Sequence, residues 1–352
     1  MRKKSLDFLK RILASPSPSG YEQPVQKIWT EYTEEYADVR TDFHGNTIGV
    51  INPKGTPRVM FAGHCDEIGF LVRYIDDKGF IYFGAIGGFD ESIIPGRRIE
   101  IHSSKGPVRG VIGKAPIHLM NPDDRKKASE IKDLWIDIGA KNKKETEKYV
   151  SIGDPITYLN DFMELETGLA VARAFDDRIG SFVVAEILRI LSESKSLKAS
   201  VHCVSSVQEE IGLRGAKTSA HGIDPAIGIA TDVTFATDQP GVDPKHVGDI
   251  KLGGGPVIAR GPNINPRVFD LLVETAKNKK IPYQVEGIPR ATGTDANVIQ
   301  TTRAGVAAGL VSIPVRYMHT PVETLDLGDA ENAAKLMAAF AEAITPDMSF
   351  IP

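Results

Sequence analysis

Arg178-Ile-Gly-Ser-Phe-Val-Val-Ala-Glu-Ile-Leu-Arg-Ile-Leu191 carries Ile179, Phe182, Val183, Ile187, Leu188 and Leu191 at helical spacing, and Ser200-Val-His-Cys-Val-Ser-Ser-Val207 follows as an apolar run of strand length. A helix feeding a buried strand is the repeating unit of an α/β sheet. Downstream the alternation continues, with strand-like runs at 227–231, 282–284 and 309–313 and helical patterning at 267–277 and 329–344. Upstream, residues 4–13 have helical spacing and stop at Ser15-Pro-Ser-Pro-Ser-Gly20, where two prolines and a glycine break the helix. A second helix is expected over 22–36, then strands at 46–52 and 57–63. Between these halves the texture changes to short β-like runs at 70–75, 80–83, 98–102, 108–112, 134–138 and 155–158. Asp76-Asp-Lys-Gly79 and Ser103-Ser-Lys-Gly106 supply turns among them. The pattern predicts an α/β domain in two segments, 1–67 and 163–352, interrupted by a β-rich barrel or sandwich over 68–162.

A chain of 352 residues with 41% hydrophobic and 25% charged residues can bury a sizeable core, which excludes disorder, collagen and coiled coil. Its 42 basic against 46 acidic residues give a net charge of −4, without the basic footprint of a nucleic-acid binder or a membrane-surface patch. No nucleic-acid or membrane partner is expected. Charges at Asp7, Lys10 and Arg11 interrupt any signal-like apolar region, and no run approaches the ~18 apolar residues of a membrane span. Cys65 and Cys203 sit in strand-like stretches, form no CxxC pattern and read as core residues. The expected location is the cytoplasm.

Chemistry gathers at strand ends. His64-Cys-Asp66 follows an apolar strand, and Asp66 is placed to fix the tautomer of His64. Glu209 and Glu210 follow the strand-like run 200–207, at the carboxyl end where open α/β sheets bind ligands. Adjacent residues on an extended chain point to opposite sides, so one of these can hold a metal while the other acts as general base. Asp176-Asp177 precedes the helix over 178–191, where either residue could serve as an N-cap or a ligand. Asp232 closes the strand at 227–231, and His319 lies in the turn Arg316-Tyr-Met-His-Thr-Pro321. His64, Asp176, Glu210, Asp232 and His319 together offer two imidazoles and three carboxylates, a donor set suited to a pair of ions such as Zn²⁺ or Co²⁺. Two such ions can hold a water and polarise a carbonyl, with Glu209 taking the proton of the water and passing it to the leaving amine.

The segments Gly63-His-Cys-Asp-Glu-Ile-Gly69, Ala174-Phe-Asp-Asp-Arg178, Gln208-Glu-Glu-Ile-Gly-Leu-Arg-Gly215, Thr231-Asp-Val-Thr234, Gly293-Thr-Asp-Ala296 and Ile313-Pro-Val-Arg-Tyr-Met-His-Thr-Pro-Val-Glu323 closely resemble the glutamyl and tetrahedral aminopeptidases, in order and over nearly the whole chain. The resemblance implies a three-layer α/β/α dinuclear-metal exopeptidase domain with an inserted PDZ-like β-barrel for dimerisation or gating. It further implies a homo-oligomer, dimers assembling to a dodecamer, that removes N-terminal residues from peptides with a free N-terminus. Transferred by position, it makes His64 and Asp232 ligands of one ion, Glu210 and His319 ligands of the other, and Asp176 rather than Asp177 the bridge. Asp66 then orients His64, Glu209 activates the metal-bridging water, and Asp295 is a candidate for recognising the α-amino group. Where many members have His after the Asp-Val-Thr run, this chain has Phe235, which donates no hydrogen bond. The glycine-rich 253–263 is expected at the mouth of the site. The competing readings are another two-metal amide hydrolase, such as a deacylase, and a noncatalytic peptide-binding assembly protein.

Overall fold

The computed structural model describes residues 1–352 except 124, 126 and 160, three positions inside the expected insert. Helices α1 (Lys3–Ala14) and α2 (Gln23–Thr33) precede strands β1 (Asp38–Thr41), β2 (Thr47–Ile51) and β3 (Arg58–His64). Next come β4 (Gly69–Ile75), β5 (Ile81–Ile86), β6 (Arg98–Ser103), β7 (Gly106–Gly113), β8 (Trp135–Asp137), the one-turn α3 (Lys143–Thr146) and β9 (Pro155–Tyr158). After β10 (Met163–Glu164) and β11 (Ala170–Ala172) the order is α4 (Phe175–Ser192), β12 (Ser200–Ser206), α5 (Arg214–Ile223), β13 (Ile227–Phe235) and the one-turn α6 (Pro244–Val247). The chain ends with β14 (Val257–Arg260), α7 (Pro266–Lys279), β15 (Gln284–Gly287), α8 (Asp295–Gln300), β16 (Ala307–Val315), β17 (Glu323–Leu325) and α9 (Leu327–Ala343).

The main sheet has the order β1-β2-β12-β3-β13-β16-β14-β15, and β12, β3, β13 and β16 form its parallel centre. Central parallel strands need cover on both faces, which is why β3 and β13 read as nearly continuous apolar runs. The two covers can be seen at two glycines. A side chain on Gly228 would strike Ile299 of α8, whereas one on Gly309 would strike Val268 of α7. Because Gly309 pairs with Ile229, the neighbour of Gly228, the two helices lie on opposite faces, and the domain is a three-layer α/β/α sandwich.

Helix α4 is buried along nearly its whole length between the sheet and α9. It approaches β3 closely because both surfaces are glycine: a Cβ on Gly63 would run into backbone atoms of Gly180 and Ser181. That contact sets the distance between His64, at the end of β3, and Asp176, in the first turn of α4. Strands β4 to β9 form a separate closed antiparallel barrel, β4-β5-β8-β7-β6-β9, around its own core of Phe70, Val72, Ile81, Ile101, Ile136 and Ile156. The three-stranded β10-β11-β17 sheet brings Glu323 beside Ala172.

Several elements differ from the sequence reading. Residues 257–260 of the expected glycine-rich loop form β14, held by pairing to both β15 and β16, and 253–263 do not line the pocket described below. Helices α5 and α8 are short and carry weak helical signals, and β15 lies at 284–287 rather than 282–284 because an exposed edge strand lacks apolar alternation.

Replacement of Gly63 by Ala should force α4 off the sheet. The expected cost is about 1–3 kcal/mol of stability, read as a lower denaturant midpoint; an unchanged midpoint would show that the close approach is not required.

Candidate metal centre

The carboxyl ends of β3, β12, β13 and β16 open in one direction and carry the singled-out residues. His64 ends β3, Glu209 and Glu210 follow β12, Asp232 lies on β13, and His319 follows β16. Three of the turns involved use left-handed backbone at residues other than glycine: Ala174 (φ 60°), Gln208 (φ 56°) and His319 (φ 60°). Such conformations persist only where surrounding contacts impose them.

Those contacts come from buried carboxylates that accept from backbone amides. Asp66 Oδ1 accepts from the Glu209 amide at 3.0 Å, and its Oδ2 accepts from the Glu210 amide at 3.2 Å and the Ser19 hydroxyl at 2.7 Å. His64 Nδ1 lies 3.4 Å from Asp66 Oδ1 and 3.2 Å from the Asp66 carbonyl, leaving Nε2 to face the pocket. Glu323 acts on the other side, accepting from the Asp176 amide at 3.0 Å and the His319 amide at 2.9 Å. Sequence reasoning gave no role to Ser19, read only as part of a helix-breaking turn, or to Glu323, although its spacing four residues after His319 was a local signal.

Asp176 and Asp177, joined by a cis peptide bond, face different ways. The Asp176 carboxylate meets both imidazoles, Oδ1 lying 3.3 Å from His64 Nε2 and Oδ2 3.2 Å from His319 Nε2. Asp177 accepts from the backbone amides of His64 at 3.1 Å and Gly180 at 3.0 Å, so it fastens α4 to β3. His319 Nε2 also lies 3.6 Å from Glu210 Oε1, and His64 Nε2 3.7 Å from Glu209 Oε2. Among the described residues, two sets have ligand atoms within 4.8 Å of one another: His64, Asp176 and Glu210, and His64, Glu209 and Asp232.

The electrostatics are those of a crowded acid cluster. Burial, reinforced by Asp176, pushes Glu210 and Asp232 up to about 8. Glu209 is pushed up to about 10 by burial and by the charges of Asp232, Asp295 and Glu210. Burial also disfavours a charge on Asp176 and Asp66, yet hydrogen bonding with the histidines holds both below the usual aspartate value. His319 rises to about 9 through its bond to Asp176, and His64 rises well above its ordinary value because its carboxylate neighbours outweigh its burial. Glu210 Oε1 is buried without a hydrogen-bond partner. Such an excess of buried carboxylate oxygen, one atom of it orphaned, fits divalent cations.

His64, Asp176, Glu209, Glu210, Asp232 and His319 line one pocket of about 440 Å³, and the half-exposed Phe235 lies on its wall. Asp66 is beneath the pocket. Asp295 is also outside its lining, its Oδ2 accepting from the Ser206 hydroxyl at 2.6 Å. Cys65 and Cys203 are free, fully buried and part of the main core.

A family model described as M42 glutamyl aminopeptidase matches residues 45–336, a span holding all five candidate ligands and Glu209. The chain belongs to the M42 family. Its M42 relatives include the lysyl aminopeptidase of Pyrococcus furiosus, 40% identical, with 98% of this chain and 99% of that protein covered. The TET aminopeptidase of a marine sediment Thaumarchaeota archaeon superposes with a TM-score of 0.93 at 36% identity, covering 97% and 96% of the two chains. The Pyrococcus horikoshii TET1 peptidase, which can assemble into a tetrahedron or a large octahedral shell, has a TM-score of 0.87 at 31% identity over 97% of this chain and 100% of that one. Membership makes the chain a hydrolase, a metalloaminopeptidase of a metal-dependent family.

The raised values give a signed pH dependence for the metal-stripped protein. Between the ordinary pKa values and about 8–10 the folded cluster keeps protons that the unfolded chain has released, so stability falls as pH rises through that window. The lowered Asp66 and Asp176 act only in the acid range. The thermal unfolding midpoint in chelator should therefore fall from about pH 5 to 10, and added divalent metal should restore the loss. A flat profile in chelator would contradict this account.

Proposed function

We propose that His64, Asp176, Glu210, Asp232 and His319 hold two divalent cations, Zn²⁺ or Co²⁺, and that the chain removes N-terminal residues from peptides. The observation that carries this reading is Asp176, whose two oxygens face two histidines from opposite ends of the cluster. His64 and Asp232 belong to one ion and Glu210 and His319 to the other by resemblance to the family, since the geometry alone also groups His64 with Glu210. When bound, such ions supply Lewis acidity and a lowered water pKa.

The residues of the chain supply the rest. Asp66 accepts the Nδ1 proton of His64, directing the Nε2 lone pair to the pocket. Glu209, in the pocket and outside the five-ligand set, takes a proton from the attacking water and delivers it to the leaving amine. Its carboxylate lines the pocket beside His64, Oε2 lying 3.7 Å from Nε2, which keeps it within reach of a water held at the cluster.

For the whole chain we propose segments 1–67 and 163–352 as the catalytic domain and 68–162 as a dimerisation and gating unit, within a dodecamer built from dimers. The large shells formed by TET relatives support the assembly. No helix among the described residues is long and apolar enough to cross a membrane. Two free, buried thiols suit the reducing cytoplasm.

The testing experiment is chelation followed by addition of Zn²⁺ or Co²⁺, with aminoacyl p-nitroanilides assayed beside N-acetylated controls. Metal-restored cleavage of free amines alone is expected; preferential cleavage of blocked substrates would indicate the deacylase, and binding without turnover the assembly protein. Glu209→Gln should keep its metals and lose about 10²–10⁴-fold in kcat. Full activity in that variant would remove Glu209 as the base.

A further inference from the structure

One carboxylate in the pocket lies outside the metal cluster. Glu286, on the edge strand β15 opposite Ala259 of β14, shares the pocket lining with Asp232 and Thr234. Its Oε2 accepts from the Thr234 hydroxyl at 2.8 Å. Glu286 is partly buried, burial raises its pKa, and the neutral hydroxyl is its one side-chain partner among the described residues. Arg290 and His246 also line the pocket, but both are exposed and, among the described residues, neither pairs with Glu286. A carboxylate withdrawn from water without a counter-charge is costly unless a ligand supplies one.

Its position defines that ligand. Asp232 and Thr234 are two residues apart on β13, so their side chains project to the same side, roughly 7 Å apart along the strand. Ile288 and Leu310 add apolar surface to the same pocket. The arrangement is a path with apolar walls from the metal cluster to an unneutralised anion, which suits an alkyl stem ending in a cation.

We propose that Glu286 determines specificity by pairing with the ammonium or guanidinium of a basic N-terminal side chain, so that peptides beginning with Lys or Arg are preferred. The assignment rests on the reading of this pocket as the aminopeptidase site. Thr234 is a positioning residue that holds Glu286 Oε2 and leaves Oε1 for the substrate.

The test is steady-state kinetics of the metal-loaded protein on lysyl, arginyl, leucyl and glutamyl p-nitroanilides, with Glu286→Gln and Glu286→Lys variants. The unmodified protein should favour lysyl and arginyl over leucyl substrates in kcat/KM and cleave glutamyl substrates poorly. Glu286→Gln, which keeps the shape and an acceptor for Thr234, should lower the lysyl-to-leucyl ratio about 10- to 100-fold. Glu286→Lys should raise the glutamyl-to-lysyl ratio. If the unmodified protein cleaves leucyl substrates but lysyl ones no better, or if Glu286→Gln lowers all substrates alike and leaves the ratio unchanged, the Glu286 assignment is wrong. Absence of cleavage of every free-amine substrate would overturn the aminopeptidase reading as well.

Discussion

The fully buried carboxylate of Asp66 is the constraint on which the site depends. It accepts from the amides of Glu209 and Glu210 and from the hydroxyl of Ser19, and it faces His64. One side chain thus joins the end of β3, the turn after β12 and the link between α1 and α2. Hydrogen bonds to an ionised acceptor are among the stronger ones, and a buried charge that loses its donors is heavily penalised. The same logic appears at Glu323, which holds the amides of Asp176 and His319, and at Asp177, which holds those of His64 and Gly180. Three buried acids therefore grip the backbone, leaving the side chains of the proposed ligands free to converge.

Beneath them lies a second charged layer. Arg178, fully buried, donates to the carbonyls of Ile12 at 2.7 Å and Leu13 at 2.9 Å, and also to Ser17 and Glu67. Burial lowers its pKa to about 10, and the adjacent Glu67 carboxylate favours its charge. Arg173 also pairs with Glu67. This network anchors the end of α1 against the first turn of α4 and the junction between β3 and β4, where the chain leaves the sheet for the barrel. The helix that carries Asp176 is thus located by glycine contact on one side and by ion pairing on another.

The central strands, the long helices and the runs of the barrel were legible in the sequence because each encodes its burial in a local apolar pattern. β14 was not, since four residues between glycine and proline become a strand only through partners distant in sequence. The candidate ligands could be picked out because ionisable residues at the ends of apolar strands conflict with their neighbours. Spacing alone left Asp176 and Asp177 equivalent, and it is the different environments of their carboxylates that distinguish them. Ser19 lies 47 residues from Asp66 and Glu286 52 residues from Thr234. Contacts of that kind leave no local trace.

The proposed chemistry requires that Asp176 sit between two ions. Anomalous diffraction from crystals of the Zn²⁺-loaded protein, collected at the zinc edge, addresses this directly. Two peaks are predicted, one on the His64 and Asp232 side of Asp176 and the other on the Glu210 and His319 side. A single peak at full loading, or peaks away from these residues, would contradict it.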